Sequence, residues 1–247
     1  MITELSRSLA KDFARLQQKK YRVATEQFII EGPKMIEEAL QQSRFPIRAI
    51  IGTAEFLQQF QTPNKNIVFY SVTPRELKKI SGMKTPQDGL AVLQSKSMEA
   101  PQGNLLLFLN ELQNPGNMGT IFRSAEWLGA DGILIGSDSS EPFNPKVVQA
   151  SMGSIFRLPF YDCSLASLKN YAQSYEILGA DIGGRPIKEC DTSKPSIIVI
   201  GNEGRGITPD VQEIIQQTIS IPQTSGGQAE SLNAAISAAI ITYEWNR

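Results

Sequence analysis

The chain has 247 residues, 41% hydrophobic and 20% charged, with a net charge of −1 and no histidine. That profile fits a soluble protein of one large domain or two modest ones, and excludes long disordered tracts. The missing histidine excludes Ser-His-Asp and Cys-His nucleophilic catalysis, histidine-ligated zinc and the commonest general base.

From the amino end, "LSRSLAKDFARLQQKKYR" places Arg7, Lys11, Arg15 and Lys19 at successive steps of four. Leu5, Leu9, Phe13 and Leu16 fall at four, four and three, so the spacing predicts one helix with opposed basic and apolar faces. The basic face is either a solvated surface or a phosphate-contacting one. Residues 1–95 hold 14 Lys and Arg against 9 Asp and Glu, leaving 10 against 16 for the rest, which favours phosphate contact. Then "QFIIEG", "PKMIEEALQQS", "IRAIIGT", "AEFLQQF", "NIVFYSV", "TPRELKKIS" and "DGLAVLQ" read as alternating strands and helices that close a first α/β unit near Ser95. Pro33 and Pro74 stand where helices begin.

"SKSMEAPQG" breaks the pattern, so residues 96–103 are expected to be a linker and 104–247 a second domain. Near-continuous apolar runs, "LLLFL" and "IIVIG", predict a parallel sheet covered by helices on both faces. No apolar run approaches the ~20 residues of a membrane span, and "MITELSRSLAKDF" lacks a signal-peptide core, so a cytoplasmic protein is expected. Cys163 and Cys190 share no metal-ligand spacing and read as reduced thiols without a role.

Three segments of the second domain join a strand to a helix through a loop. "NPGNMGTIFRSAEWLGADGILI" follows the first strand, so its loop lies at a carboxyl strand end, where open α/β sheets bind ligands. Asn114 and Asn117 either cap the helix or contact a ligand, and Arg123 is either paired or facing a site. "IIVIGNEGRGI" puts Glu203 in a glycine loop that matches neither a P-loop nor G-x-G-x-x-G, and by spacing alone it equally suits a plain turn. "ISIPQTSGGQAESLNAAISAAI" sets Ser231, the expected helix N-cap, and Asn233 before an alanine-rich helix.

In order and spacing these three segments resemble the motifs of the SpoU (TrmH-like) branch of the SPOUT RNA methyltransferases. "NPKVVQASMGSIFRLPF" is similar to that family's connecting segment, and residues 1–95 resemble its L30e-like substrate-binding domain. The resemblance implies an α/β fold whose parallel-sheet domain carries a deep trefoil knot and forms a homodimer. It implies methyl transfer from S-adenosylmethionine to a ribose 2′-hydroxyl of RNA, with 23S ribosomal RNA favoured over transfer RNA, and no metal or membrane partner. By position, Gly201, Asn202, Ile221 and Leu232 match cofactor contacts. Asn117, Arg123, Glu203, Ser231 and Asn233 match the catalytic cluster, while Arg7, Lys11, Arg15, Lys19 and Arg123 are expected to meet RNA. Asn114 stands where many members have Asp.

Such a displacement needs alignment and relief of negative charge on oxygen, which these residue types supply. The family gives its arginine the role of base, yet a guanidinium is a poor proton acceptor. The physical expectation is that Arg123 stabilises the alkoxide while Glu203 or a water takes the proton. A catalytically silent RNA-binding dimer and a nucleotide-dependent Rossmann-like enzyme are the competing readings, and the second lacks a phosphate loop.

Overall fold

The apolar runs build two sheets. In the computed structural model, which describes residues 2–60, 66–224 and 227–247, the chain divides into Met1–Lys96 with Glu141–Arg157, and Ser97–Ser140 with Leu158–Arg247.

The first unit runs β1 (Ile2–Glu4), α1 (Arg7–Arg15), α2 (Lys19–Thr25), β2 (Gln27–Glu31), α3 (Pro33–Gln42), β3 (Ile47–Gly52), α4 (Ala54–Gln58), β4 (Val68–Ser71), α5 (Pro74–Ile80) and β5 (Gly89–Gln94). Its sheet order is β1-β4-β3-β5-β2, parallel from β1 to β3 and antiparallel where β5 meets β3 and β2. Both prolines open helices as expected, and Thr73 and Glu76 close a reciprocal capping box ahead of α5.

The expected single amino-terminal helix is two. Leu16, Gln17 and Gln18 donate to Phe13, Ala14 and Arg15, the tight i−3 pattern of a helix end. Arg22 Nη1 then takes the Leu16 carbonyl at 2.8 Å, and Gln17 Nε2 donates to Ile80 at 3.0 Å. Arg7, Lys11 and Arg15 therefore share α1, while Lys19 begins α2. The apolar face of α1 is buried: Phe13 and Leu16 enter a core with Ile29, Ile51, Leu77 and Ile80, and Leu5 and Leu9 cover it.

The segment Glu141–Arg157, placed by the sequence pattern in the second domain, belongs to the first unit. It carries α7 (Pro145–Ser151). Phe143 lies 4.5 Å from the Phe28 ring centroid and 5.4 Å from that of Phe45. Arg22, only 4% exposed, meets Glu141 through two nitrogens at 3.0 and 2.6 Å, and Arg157 pairs with Glu38. Aromatic contact and a two-pronged ion pair thus outweigh proximity along the chain.

The second unit comprises β6 (Leu105–Leu109), α6 (Pro115–Trp127), β7 (Gly132–Ile135), β8 (Phe160–Asp162), α8 (Leu165–Tyr171), β9 (Glu176–Pro186), β10 (Ser196–Ile200), α9 (Pro209–Gln212), β11 (Gln217–Ser220) and α10 (Ala234–Trp245). Its order is β11-β9-β10-β6-β7-β8, and every pairing is parallel, as the apolar runs predict. β6 and β10 are buried along their whole length, which requires cover on both faces. Among the described residues no helix is long and apolar enough to cross a membrane.

Candidate active site

Parallel sheets bind ligands where connections leave neighbouring strands in opposite directions. Between β6 and β10 that condition holds: β7 and β8 continue beyond β6, whereas β9 and β11 lie beyond β10. The last paired residues are Leu109 and Ile200. The loops that carry the candidate residues begin immediately after them.

Asn114 caps α6, its Oδ1 accepting the Gly116 and Asn117 amides at 2.8 and 3.3 Å. Its own N–H donates to Glu203 Oε1 at 3.2 Å, and Asn117 Nδ2 donates to the same oxygen at 3.0 Å. Asn233 Nδ2 in turn donates to Asn117 Oδ1 at 3.0 Å, while Asn233 Oδ1 caps α10 through the Ala235 amide at 2.9 Å. One chain of hydrogen bonds, Asn233 to Asn117 to Glu203, therefore joins all three loops and fixes which way the Asn117 amide points. The helix cap expected at Ser231 is Asn233 instead. Ser231 is thereby left exposed.

Partial burial pushes the Glu203 carboxyl up, but hydrogen bonds from its own backbone, the Asn117 amide and the Asn114 and Gln113 backbones outweigh it, and the carboxyl lies below its ordinary range. A carboxylate so saturated with donors is a weak base. Its geometry suits holding Asn117 better than taking a proton.

Beside this chain lies a cavity of about 830 Å³, lined by Gly201, Asn202, Glu203, Ile221, Ser231, Leu232 and Asn233, and by Ala180, Asp181 and Ile182. Its size is that of a small-molecule site. All four expected cofactor contacts face it, together with three of the expected catalytic residues. Gly201 is required where it stands: a Cβ there would lie 2.6 Å from the Gly206 carbonyl carbon and 2.8 Å from the Ile207 nitrogen, both backbone. Ser225 and Gly226 of the third loop lie outside the described residues.

Residues 180–182 escaped the sequence reading. They follow the point where β9 loses register with β11, Thr218 opposing Gly179 but Ile219 opposing Arg185. They lie inside β9 rather than in a loop at a strand end, so the strand-end rule that singles out the loops after β6 and β10 does not reach them.

Arg123 is exposed, its side chain makes no hydrogen bond or ion pair among the described residues, and it does not line the cavity. In the first unit Arg7, Lys11 and Lys19 are exposed. Arg15 is half-buried, pairs with Asp12 at 3.0 Å and lies 5.4 Å from the Tyr21 ring.

Known proteins match both parts of the chain. Residues 104–243 match the model of the SpoU rRNA methylase family, and residues 8–91 match an MRM3-like substrate binding domain. The chain is 29% identical over 239 residues to the 23S rRNA (guanosine(2553)-2′-O)-methyltransferase RlmP of Bacillus subtilis, covering 94% of each chain. A TrmH-family structure from Porphyromonas gingivalis is 34% identical and superimposes with a TM-score of 0.88 over 98% of both chains. An AdoMet-bound rRNA methyltransferase from Sinorhizobium meliloti, 26% identical, also gives 0.88, over 99% of this chain and 97% of that one.

Proposed function

The chain belongs to the SpoU rRNA methylase family, and on that premise we propose that it transfers a methyl group from S-adenosylmethionine to a ribose 2′-hydroxyl of RNA, with 23S ribosomal RNA as substrate. The observation that carries the reading is the Asn233–Asn117–Glu203 chain at the rim of the cavity. The names of the B. subtilis and S. meliloti relatives support the substrate and the cofactor.

The cavity fits the cofactor chemically. Ile182, Ile221 and Leu232 offer apolar surface for an adenine ring, and the carboxylates of Asp181, Glu203 and Glu230 offset a sulfonium and an ammonium. When bound, the cofactor supplies an electrophilic methyl group. Gly201 and Asn202 would hold it by backbone approach. Asn117, Ser231 and Asn233 would align the incoming hydroxyl, and the exposed Arg123 would meet the alkoxide and a neighbouring phosphate. Water takes the proton in this account, because Glu203 is already committed to its donors.

The reading extends to the trefoil knot and homodimer of the family, and to an L30e-like first unit that grips RNA through Arg7, Lys11, Arg15 and Lys19. A dimer is supported by α10, which is apolar nearly all round yet leaves Ile236 49% and Tyr243 53% exposed; Trp127 of the adjacent α6 is 88% exposed. Ile236→Asp is expected to halve the mass measured by sedimentation, and an unchanged mass would move the interface elsewhere.

The deciding experiment transfers labelled methyl to total RNA from a strain lacking the gene, comparing wild type with Arg123→Ala. Label in large-subunit RNA that disappears in the variant supports the reading. Label confined to transfer RNA overturns the substrate class, and no calorimetric binding of the cofactor overturns the activity.

A further inference from the structure

Glu111, which follows the last residues of β6, stands outside the cavity and outside the motif residues discussed above. It adopts a left-handed backbone with φ 52°, a region that residues with a Cβ rarely adopt. Its neighbour Asn110 is pinned on one side, Oδ1 accepting the Thr208 amide at 2.7 Å and the Thr208 hydroxyl at 3.1 Å.

The turn that results sends both ends of Glu111 to one loop. Its carbonyl accepts Asn202 Nδ2 at 2.8 Å, and its carboxylate accepts Arg205 Nη2 at 2.7 Å. The loop itself is closed by Asn202 and Gly206, which exchange backbone hydrogen bonds at 2.8 and 3.0 Å. Asn202 Oδ1 also accepts the Gly204 and Arg205 amides at 2.9 and 3.1 Å. Glu203 sits at the tip of this ring, with Asn202 on one flank and Arg205 on the other. Both flanks are tied to the same residue.

We propose that Glu111 is a positioning residue for methyl transfer: it clamps the Asn202–Gly206 ring by its carbonyl and its carboxylate, and so sets the Glu203 oxygen that orients Asn117. The proposal rests on the methyltransferase reading above. An exposed ion pair alone would contribute little, since the Arg205 side chain is 68% exposed. What distinguishes this pair is the second arm, a backbone acceptor aimed by an unfavourable φ at the opposite flank of the same ring. Glu111 does not line the cavity, so its effect passes through the Asn202–Gly206 ring that carries Glu203.

The test uses the full chain with Glu111→Gly, Glu111→Gln, Arg205→Ala and the double variant Glu111→Gly/Arg205→Ala. Glycine keeps the left-handed turn and the carbonyl arm and removes only the carboxylate. Expected is a fall in kcat of about tenfold for Glu111→Gly and for Arg205→Ala, with KM for S-adenosylmethionine changed less than about twofold. The double variant falls no further, and Glu111→Gln recovers part of the rate. Unchanged kcat, or two losses that multiply, overturns the clamp.

Amide hydrogen exchange gives a readout independent of turnover. Faster exchange at Asn114, Gly116, Asn117 and residues 203–206 in Glu111→Gly, with β6 and β10 unaltered, supports the clamp. Exchange identical to wild type overturns it even in a protein that transfers no methyl. A wild type that transfers none overturns the methyltransferase reading instead.

Discussion

Replacing Glu203 by glutamine tests the division of labour in the site. The carboxylate oxygen Oε1 accepts Asn114 N–H at 3.2 Å and Asn117 Nδ2 at 3.0 Å, and further backbone donors from Gln113 and Glu203 itself face the group. Glutamine offers one carbonyl oxygen and one NH₂, so a donor must face a donor on one side. A hydrogen bond to a charged group contributes about 1.5–3 kcal/mol and a neutral one about 1. Because Glu203 is exposed, the low end applies, and losing the charge plus one bond costs about 2 kcal/mol. If Asn117 aligns the hydroxyl, kcat/KM falls about thirtyfold. Single-turnover methyl transfer from pH 5.5 to 8.5 is the assay. The Glu203 carboxyl lies below its ordinary value, so its contribution is complete above the ordinary carboxylate pKa and is lost only as pH falls through the lower folded value. The ratio of wild type to variant should therefore stay flat across the range. A wild-type acid limb centred above about pH 5 that vanishes in the glutamine variant would show Glu203 accepting the proton, and would refute this account.

Gly201→Ala forces a Cβ against backbone of Gly206 and Ile207. The strain of about 1–3 kcal/mol should weaken calorimetric S-adenosylmethionine binding about ten- to a hundredfold, and an unchanged Kd would remove Gly201 from the cofactor site. Arg22→Ala leaves Glu141 and the Leu16 carbonyl without the partner that now holds them. At about 3–5 kcal/mol for a broken buried pair, Tm should fall about 10 °C in a thermal scan; a fall under about 3 °C would show the pair to be dispensable. Lys11→Ala should reduce the slope of log K against log salt for RNA binding by about 0.7–0.9. Arg15→Ala should change it less, since Arg15 is already paired with Asp12, and equal effects would contradict that ranking.

What the sequence made legible follows from how local each cause is. The runs 105–109 and 196–200 are apolar without interruption and become the paired central strands of a parallel sheet. Pro33 and Pro74 open their helices as read, each signal lying beside the turn it sets. The break after Arg15 was not legible, because the spacing of apolar residues continues across it and its cause is a guanidinium reaching back to the Leu16 carbonyl. β1 was missed because Ile2, Thr3 and Glu4 are all exposed on an edge strand with no buried face to leave a pattern. Segment Glu141–Arg157 follows aromatic partners that are remote in the chain. Periodicity carries no trace of such partners.

The site divides along the same line. Strand ends and glycine loops pointed to the segments that line the cavity, since a parallel sheet can hold a ligand at few places. The wiring within it depends on which donor meets which acceptor across loops far apart in sequence, and there the local rule for helix caps chose wrongly at Ser231. A serine ahead of an alanine-rich helix is a good cap in isolation. Asn233 is a better one here because one amide serves two ends, Oδ1 closing α10 and Nδ2 reaching Asn117. A carboxylate in a histidine-free site looks like the base until its donors are counted. Once they are, the proposal above gives the proton to water and leaves Glu203 to hold Asn117. On that proposal a water accepts the departing proton while the oxygen is aligned and its charge is met, and the Asn117 amide, held by Asn233 and Glu203, would supply that alignment at every pH at which Glu203 is ionised.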